Sequence, residues 1–412
     1  MNGSIRYYLS MVLELADVNR RVDTNRFGPF LFQMGFDTAE IHLIFQRVLD
    51  AQERFKKLPL SNVAIKLEKE VIAGSIYGTN TIEGGTLTEE ETERILSLPP
   101  EAISKEEEVR AVNIKRAYDL ALTAAQNKGW RLSVDFIREI HSAITNGLSH
   151  PHNQPGLFRN NQKDTVTHVG DISHGGRYKP PQLKADIELL TNALVDWHNE
   201  MEDKKVPALF RAPLVHLYYE LIHPFWDGNG RVGRVLEATI LKREDFQYAP
   251  FAMAGYYLRH IDGYFTLFNT CRKNSGTHKP FPNTPFIKFH LEGLFEVINA
   301  LDDRVNGLVR LFLFEVKIKQ SFDEKKINAR QYTIVTQISA SGTPPLMSEV
   351  EHAPWYKSLY LKLTDKSRRR DLKKLLDMKL LVLDAKKGRL WPGFVNERYL
   401  DVFERNVRQK QK

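Results

Sequence analysis

From Ser61 onward, apolar residues recur every three or four positions in segment after segment, and a chain with that spacing is committed to packed helices. In SNVAIKLEKEVIAGSIYGTNTIEGG, Val63, Leu67, Val71 and Ile72 share a helical face, and Gly84-Gly85 supplies a stop near Glu83. Thr88, with Glu91 three positions on, reads as a capping box that opens another helix before the Pro99-Pro100 break. The same spacing predicts helices over 106–125, 133–146, 183–200, 208–222 and 231–243. Two stretches differ. Residues 155–181, PGLFRNNQKDTVTHVGDISHGGRYKPP, combine short β-branched pieces, a Gly175-Gly176 turn and a closing proline pair, which predicts an exposed hairpin. Near the end, LLVLDAKKGRLWPGF sets two short apolar strands around a Lys386-Lys387-Gly388 turn. Behind a basic helix, that hairpin predicts a winged-helix module on a mainly α chain.

At 412 residues the chain is long enough for about two or three folding units. Its only cysteine is Cys271, which excludes an internal disulfide and any cysteine-built metal cage and suits a reducing compartment. The first residues lack an uninterrupted apolar run, and the most apolar stretch, GLVRLFLFEV, carries Arg310 and is too short to span a bilayer. A cytoplasmic protein without a membrane anchor is expected. The net charge is +8, and it is concentrated: between Leu361 and Leu390 eleven basic residues face four aspartates, a local excess of +7.

The densest chemistry lies in LIHPFWDGNGRVGR, residues 221–234. Gly228, Asn229 and Gly230 make a tight turn at a helix start, where unpaired N–H groups and the positive end of the helix dipole favour a phosphate. Arg231 and Arg234, three apart, lie on one helical face and are spaced to clamp further phosphate oxygens. Asp227 beside the turn is the type of group that holds Mg²⁺ against a polyphosphate. His223 just upstream is a natural acceptor for the proton of an attacking hydroxyl near neutral pH.

This stretch matches every fixed position of H-P-F-x-[DE]-G-N-G-R-x-x-R, the motif of the Fic family. His216 and Tyr218, PGLFRNN, and YKPPQLKADIELLTNALVDWHNE also resemble the family's equivalent segments, so the similarity covers about residues 107–300. The resemblance implies a Fic-type helical bundle with a β-hairpin flap. It implies transfer of AMP from ATP, with Mg²⁺, to a Ser, Thr or Tyr hydroxyl of a target protein. His223 would be the general base, Asp227 the Mg²⁺ ligand, and Gly228, Asn229, Gly230, Arg231 and Arg234 the phosphate-binding residues. Phe225 would anchor the loop in the core. The hairpin between about Thr165 and Tyr178 would be the flap on which the target chain docks by strand addition.

Upstream, Thr79-Asn80-Thr81-Ile82-Glu83-Gly84 fits [ST]-x-x-x-E-[GN], the family's inhibitory helix motif. The resemblance implies that Thr79, Glu83 and Gly84 form a brake in which Glu83 pairs with Arg234 and keeps the outermost phosphate from its productive position. In some relatives the same glutamate orients a water that removes AMP, so deAMPylation is a further implication. One segment departs from the family pattern. In AGYYLRHIDGYFTLFN, His260 and Ile261 stand where an asparagine and an arginine are usual, while Asp262 and Tyr264 remain, all in the region expected near the adenine.

The division that follows is residues 1–105 as an N-terminal helical region with the inhibitory helix, 106–305 as the catalytic core, and 306–412 as a linker helix with a winged-helix-like domain. His216 reads as a residue either in the core or supporting the site from behind, Tyr256 and Tyr257 as packing residues, Tyr264 as open, and His168 and His174 as lacking ligand spacing. Arg368, Arg369 and Arg370, with Lys386 and Lys387, are either a solvated helix face or a phosphate-backbone footprint for nucleic acid. The leading expectation is a self-restrained protein adenylyltransferase; the alternative is a DNA-binding regulator with a nucleotide-sensing core. A homo-oligomer is compatible with both.

Overall fold

The computed structural model describes residues 18–59, 63–149, 152, 154–161, 165–341, 343–384 and 386–393. They fall into two compact units, residues 1–302 and 303–412.

The first unit opens with a two-stranded antiparallel hairpin, β1 (Arg20–Asp23) and β2 (Pro29–Phe32), in which Arg20 lies opposite Phe32. Phe30 and Phe32 pack against Tyr218, and Phe32 also meets Trp197. Helices follow: α1 (Thr38–Lys56), α2 (Ala64–Ile82), α3 (Glu89–Ile95), α4 (Glu106–Gln126), α5 (Val134–Thr145), α6 (Lys184–Asp203), α7 (Ala208–Ile222), α8 (Asn229–Lys242), α9 (Ala249–Arg259), α10 (Ile261–Gly276) and the 40-residue α11 (Thr284–Asp323), which also supplies the start of the second unit. The starts are set locally. Asp37 accepts the Ala39 N–H ahead of α1, the Thr88–Glu91 capping box opens α3 in both directions, and Ser133 Oγ accepts the Phe136 N–H ahead of α5.

The core is organised around α7. Every one of its residues except Glu220 is buried, as an all-round apolar sequence requires. α8 packs along it, and α2 is held between α4 and α9. Ser75 donates to the Tyr118 hydroxyl and Tyr118 packs edge-on against Phe251, so α2 is fixed in rotation as well as in place. Among the described residues of 155–181, the expected hairpin shows one antiparallel bridge, between Val169 and Tyr178. Gly170, Gly175 and Gly176 all adopt positive φ, and two carbonyls of the turn are taken by the Asn269 side chain, which leaves no regular ladder among the described residues. Residues 162–164 of that segment lie outside the described ones.

The second unit holds α12 (Ala329–Ala340), α13 (Met347–His352), α14 (Pro354–Ser358), α15 (Asp365–Asp377) and the antiparallel pair β3 (Leu381–Asp384) and β4 (Arg389–Pro392), with Leu346 bridged to Arg389. Its core joins Phe314 and Ile318 of α11 to Ile334, Ile338, Leu375, Leu380 and Leu390. The apolar run around Arg310 is part of α11. Among the described residues no helix is long and apolar enough to cross a membrane.

Candidate functional site

The loop from His223 to Gly228 runs between the two most buried helices, and three side chains from distant segments clamp it. His223 closes α7 in the left-handed region, φ 50° and ψ 63°, which costs backbone strain that other contacts must hold. Arg159, fully buried, donates from Nε to the His223 carbonyl at 2.7 Å and from its other nitrogens to Asn161 and the Pro181 carbonyl. Phe225 is buried against the His141 ring, stacked at 3.6 Å and 5°, and against Phe158. His141 Nδ1 accepts the Gly156 N–H at 2.9 Å, which leaves Nε2–H to donate to the Asp227 carbonyl at 3.1 Å. Burial pushes this imidazole down to about 4, so it is neutral.

Gly228 precedes α8 with φ 80°, and a Cβ there would also press on Thr145 Cγ2 at 3.2 Å. Asn229, grouped with the glycines as a phosphate binder, spends its side chain on the loop. Its Oδ1 accepts the Phe225 N–H at 2.9 Å and its Nδ2 donates to the Phe225 carbonyl at 2.8 Å. Only its backbone N–H remains for an anion.

Arg231 and Arg234 point inward from α8, each about 3% exposed. Arg231 donates from Nη2 to Asp227 Oδ2 at 2.7 Å, while its Nε and Nη1 are buried with no partner. Arg234 donates from Nη2 to Glu83 Oε1 at 2.7 Å and to the Thr79 carbonyl at 3.3 Å, and from Nη1 to the Tyr264 hydroxyl at 3.3 Å. Glu83 is the cap of α2, and Gly84 after it turns with φ 82°. The Thr79 hydroxyl contacts the Tyr118 hydroxyl instead of the site. At Gly230 a Cβ would fall 2.2 Å from Glu83 Oε1, so the carboxylate rests directly on that glycine.

Behind Arg234 runs a buried chain of polar groups. Since Arg234 donates to the Tyr264 oxygen, the Tyr264 proton faces His216 Nε2 at 3.0 Å, and His216 Nδ1–H then faces Glu237 Oε2 at 2.6 Å. Tyr257 also donates to Glu237, at 2.8 Å, and contacts His290 Nδ1 at 3.0 Å. Burial opposes the Glu237 charge, yet His290, His216 and the Tyr257 hydroxyl together hold its pKa below the usual value. His216, which the sequence places either in the core or supporting the site from behind, does the second, and Tyr257, expected only to pack, is also a hydrogen-bonding member of the chain. Tyr264 supports Arg234 and is buried.

His223 Nδ1 is buried without a hydrogen-bond partner, and the nearest carboxylate oxygen, Glu220 Oε2, is 3.5 Å away. The segment around the single bridge is latched beside it. Tyr178 donates to the Glu220 carbonyl at 2.7 Å, and Lys273 reaches the Gly175 carbonyl at 2.6 Å. His174 lies between Asp171 at 2.7 Å and Asp262 at 3.1 Å; hydrogen bonds to Asp262 and then Asp171 raise its pKa. Asp262 therefore faces the latch, and the His260 ring packs on Tyr256. Among the described residues no group of three or more His, Cys, Asp or Glu is placed to hold a metal ion. A Mg²⁺ that draws most of its ligands from phosphates and water needs only one protein carboxylate, and Asp227 at the mouth of the turn fits that demand.

Residues 131–241 match the Fic/DOC family. The chain is 28% identical over 243 residues to a protein adenylyltransferase Fic of Nematostella vectensis, covering 58% of this chain and 52% of that one. It is 28% identical over 208 residues to protein adenylyltransferase fic-1 of Caenorhabditis elegans, covering 49% of this chain and 38% of the relative. The chain thus spans about half or less of the length of these relatives. Among solved structures, a Fic family protein of Desulfovibrio desulfuricans G20 superposes with a TM-score of 0.55 at 17% identity, over 86% of this chain and 96% of that one. A Fic domain containing signaling protein of Bacteroides thetaiotaomicron gives 0.51 at 20% identity, over 64% of this chain and 98% of that one. With the motif loop, the helical bundle and the sequence match coinciding on the same residues, the chain carries a domain of the Fic/DOC family.

Proposed function

We propose that this protein is an adenylyltransferase that moves AMP from ATP to a hydroxyl of a target protein and is restrained by its own Glu83. The observation that carries the reading is the pair of buried arginines with unpartnered N–H groups, converging on the start of α8 beside His223. Buried guanidinium donors left open are costly unless an anion completes them. A polyphosphate seated on the Gly228–Gly230 backbone would do so, with Arg231 and Arg234 as its clamps. Glu220 near Nδ1 favours the tautomer in which Nε2 is the free base. In the transfer step Nε2 takes the proton of the target hydroxyl, the hydroxyl oxygen bonds to the α-phosphorus, and the bond to the β-phosphate oxygen breaks, releasing pyrophosphate. Mg²⁺ at Asp227, when bound, would neutralise charge on the phosphates. Arg231 engages the Oδ2 of Asp227, so the same carboxylate would link the cation to the arginine clamp.

The roles divide along the chain: residues 1–105 carry the brake, with Thr79, Glu83 and Gly84 as its last turn, 106–305 hold the catalytic core, and 306–412 add a linker helix and a winged-helix-like module. The segment Thr165–Tyr178 offers the target its edge by strand addition at the Val169 bridge. The single buried Cys271 suits the cytoplasm.

The test is transfer of label from ATP marked separately on the α- and γ-phosphates, using the Glu83→Gly protein. Covalent α-label, absent γ-label and a loss of roughly 10²-fold or more in the additional His223→Ala variant are expected. Transferred γ-label, or α-label indifferent to His223, defeats the reading. Tyr264→Phe in the Glu83→Gly background is expected to slow labelling by about tenfold, because Arg234 loses a hydrogen bond while the ring stacking is kept. The rate at saturating ATP and the KM for ATP, measured in parallel, check that the loss lies in the phosphate grip.

A further inference from the structure

The charge of the chain divides unequally. Residues 303–412 contain 24 Lys and Arg against 13 Asp and Glu, a net of +11, which leaves residues 1–302 at −3 out of the total of +8. Within the basic unit, α15 is the helix that presents this excess, and its rotation is fixed from inside. Asp371 is buried at the middle of the helix and accepts from Arg330 Nε at 3.0 Å, Gln331 Nε2 at 2.9 Å and the Tyr360 hydroxyl at 3.1 Å. Leu375, one turn on, is fully buried beside it. With positions 371 and 375 facing the core, Lys366, Arg369, Arg370, Lys373 and Lys374 are all exposed.

Positions 366, 369, 370 and 373 follow the i, i+3, i+4, i+7 spacing, so these four cations form one stripe. Among the described residues none of the five has an ion pair or side-chain hydrogen bond. Arg368, by contrast, is occupied: it pairs with Asp365 at 3.3 Å and lies over the Tyr360 ring. A solvated helix face ordinarily mixes signs, with acids one turn from bases. Here Asp365 is exposed at the first turn but paired with Arg368, Asp371 is buried, and Asp377 at the last turn is the other exposed acid. The turn between β3 and β4 exposes Lys386 and Lys387, and both backbone N–H groups bind Asp384 Oδ1, at 2.9 and 3.2 Å, which keeps that turn tight.

We propose that residues 303–412 bind duplex DNA, with α15 in the major groove and the Lys386–Lys387 turn on backbone phosphates. A helix of 13 residues is a rod of about 20 Å, and the B-form major groove, about 12 Å wide, admits such a rod. The deep, narrow major groove of A-form RNA does not. The stripe has no aromatic or aliphatic side chain to seat in an apolar pocket of a protein partner. Its contacts are of the phosphate-binding kind, which set affinity and salt dependence and do not by themselves read sequence.

The test is binding of the full-length protein to a fluorescent duplex of mixed sequence, titrated between about 50 and 200 mM NaCl. Retention in the micromolar range at the low end is expected, with affinity falling steeply with salt. The Lys366→Gln, Arg369→Gln, Arg370→Gln and Lys373→Gln combination is expected to weaken binding at least about tenfold and to lower the log–log salt slope by about 3 to 4. All four positions are exposed, so an unchanged thermal transition confirms that folding is intact. Neutralising exposed Lys317, Lys319, Lys325 and Lys326 instead should leave affinity within about twofold. Absence of retention at low salt, an unaltered slope in the stripe variant, or capture of duplex RNA, polyglutamate or phosphatidylserine vesicles in preference to DNA would each overturn the proposal.

Discussion

Glu83→Gly is expected to raise covalent AMP incorporation by on the order of 10²-fold, while making the protein less stable. The gain follows from what Arg234 is doing. A preorganised charged donor withheld from the reacting phosphates costs roughly 10² to 10³ in rate, and Arg234 now gives Nη2 to Glu83 at 2.7 Å. Removing the carboxylate leaves the guanidinium aligned, because Nη1 still donates to Tyr264 and Nη2 to the Thr79 carbonyl. The loss of stability has the same origin. Arg234 is almost completely buried and would lose its only carboxylate partner among the described residues, which costs about 1–3 kcal/mol and so several degrees of melting temperature. Saturating ATP should restore much of that loss, since a phosphate replaces the missing charge. Glu83→Gln, which keeps a hydrogen-bonding group without the charge, should fall between the two in rate. Thermal shift with and without ATP, run beside the labelling assay, gives all of these quantities. If labelling is unchanged although ATP binds, Glu83 is not the brake.

Acidification from pH 7 to pH 5 is expected to remove about 6 kcal/mol from the first unit, a large share of a typical domain's stability. Three of its histidines are buried and neutral. Burial lowers His141 and His290 to about 4, and burial with Arg211 nearby lowers His198 to about 3. In the unfolded chain each returns to about 6.5. Below that value the unfolded state binds protons that the folded state refuses, so stability is fully present above pH 6.5 and is lost as the pH falls toward 4. The limiting slope is about 1.4 kcal/mol per pH unit for each histidine, about 4 for the three. His174 has the opposite sign, because its pKa is raised, but it is one group set against three. Urea midpoints measured between pH 7 and pH 5 give the slope directly, and His198→Gln should reduce it by about one proton. A flat profile would show that these side chains are not held neutral. The effect reaches the site, because a proton on His141 must go to Nδ1, which now accepts the Gly156 N–H.

The part of the site contained in one stretch of sequence is legible there, and the part assembled across the chain is not. His223 to Arg234 lie within a single turn and helix start, and the helix carrying Glu83 ends at Ile82, as its glycine stop implies. Arg159 lies in PGLFRNN, a segment that resembles the family's, but nothing in the sequence gives this arginine a role. It is a lone arginine in an irregular segment, and its importance appears only when its nitrogens are found on the His223 and Pro181 carbonyls. Glu237, His216 and Tyr264 are separated by 21 and 48 residues, and each sits at a position that helical spacing assigns to the core. A buried polar residue and a buried apolar one occupy the same face, so periodicity cannot tell them apart. The β1–β2 hairpin leaves no mark in the sequence, because four-residue strands are too short for alternation to register. The flap keeps the antiparallel pairing its glycine turn implies, at Val169 and Tyr178, but among the described residues it pairs there alone, since β-branched residues mark extended chain without requiring a ladder partner.

The bare patch of backbone at Gly230 admits one oxygen-rich group at a time. Because Glu83 is supplied by the same polypeptide, its local abundance over that patch is set by geometry and does not change when the protein is diluted or made in excess. If Glu83 is the brake we propose, dilution does not relieve it, whereas a ligand with more charge to offer, or a force that unwinds the final turn ahead of Gly84, does.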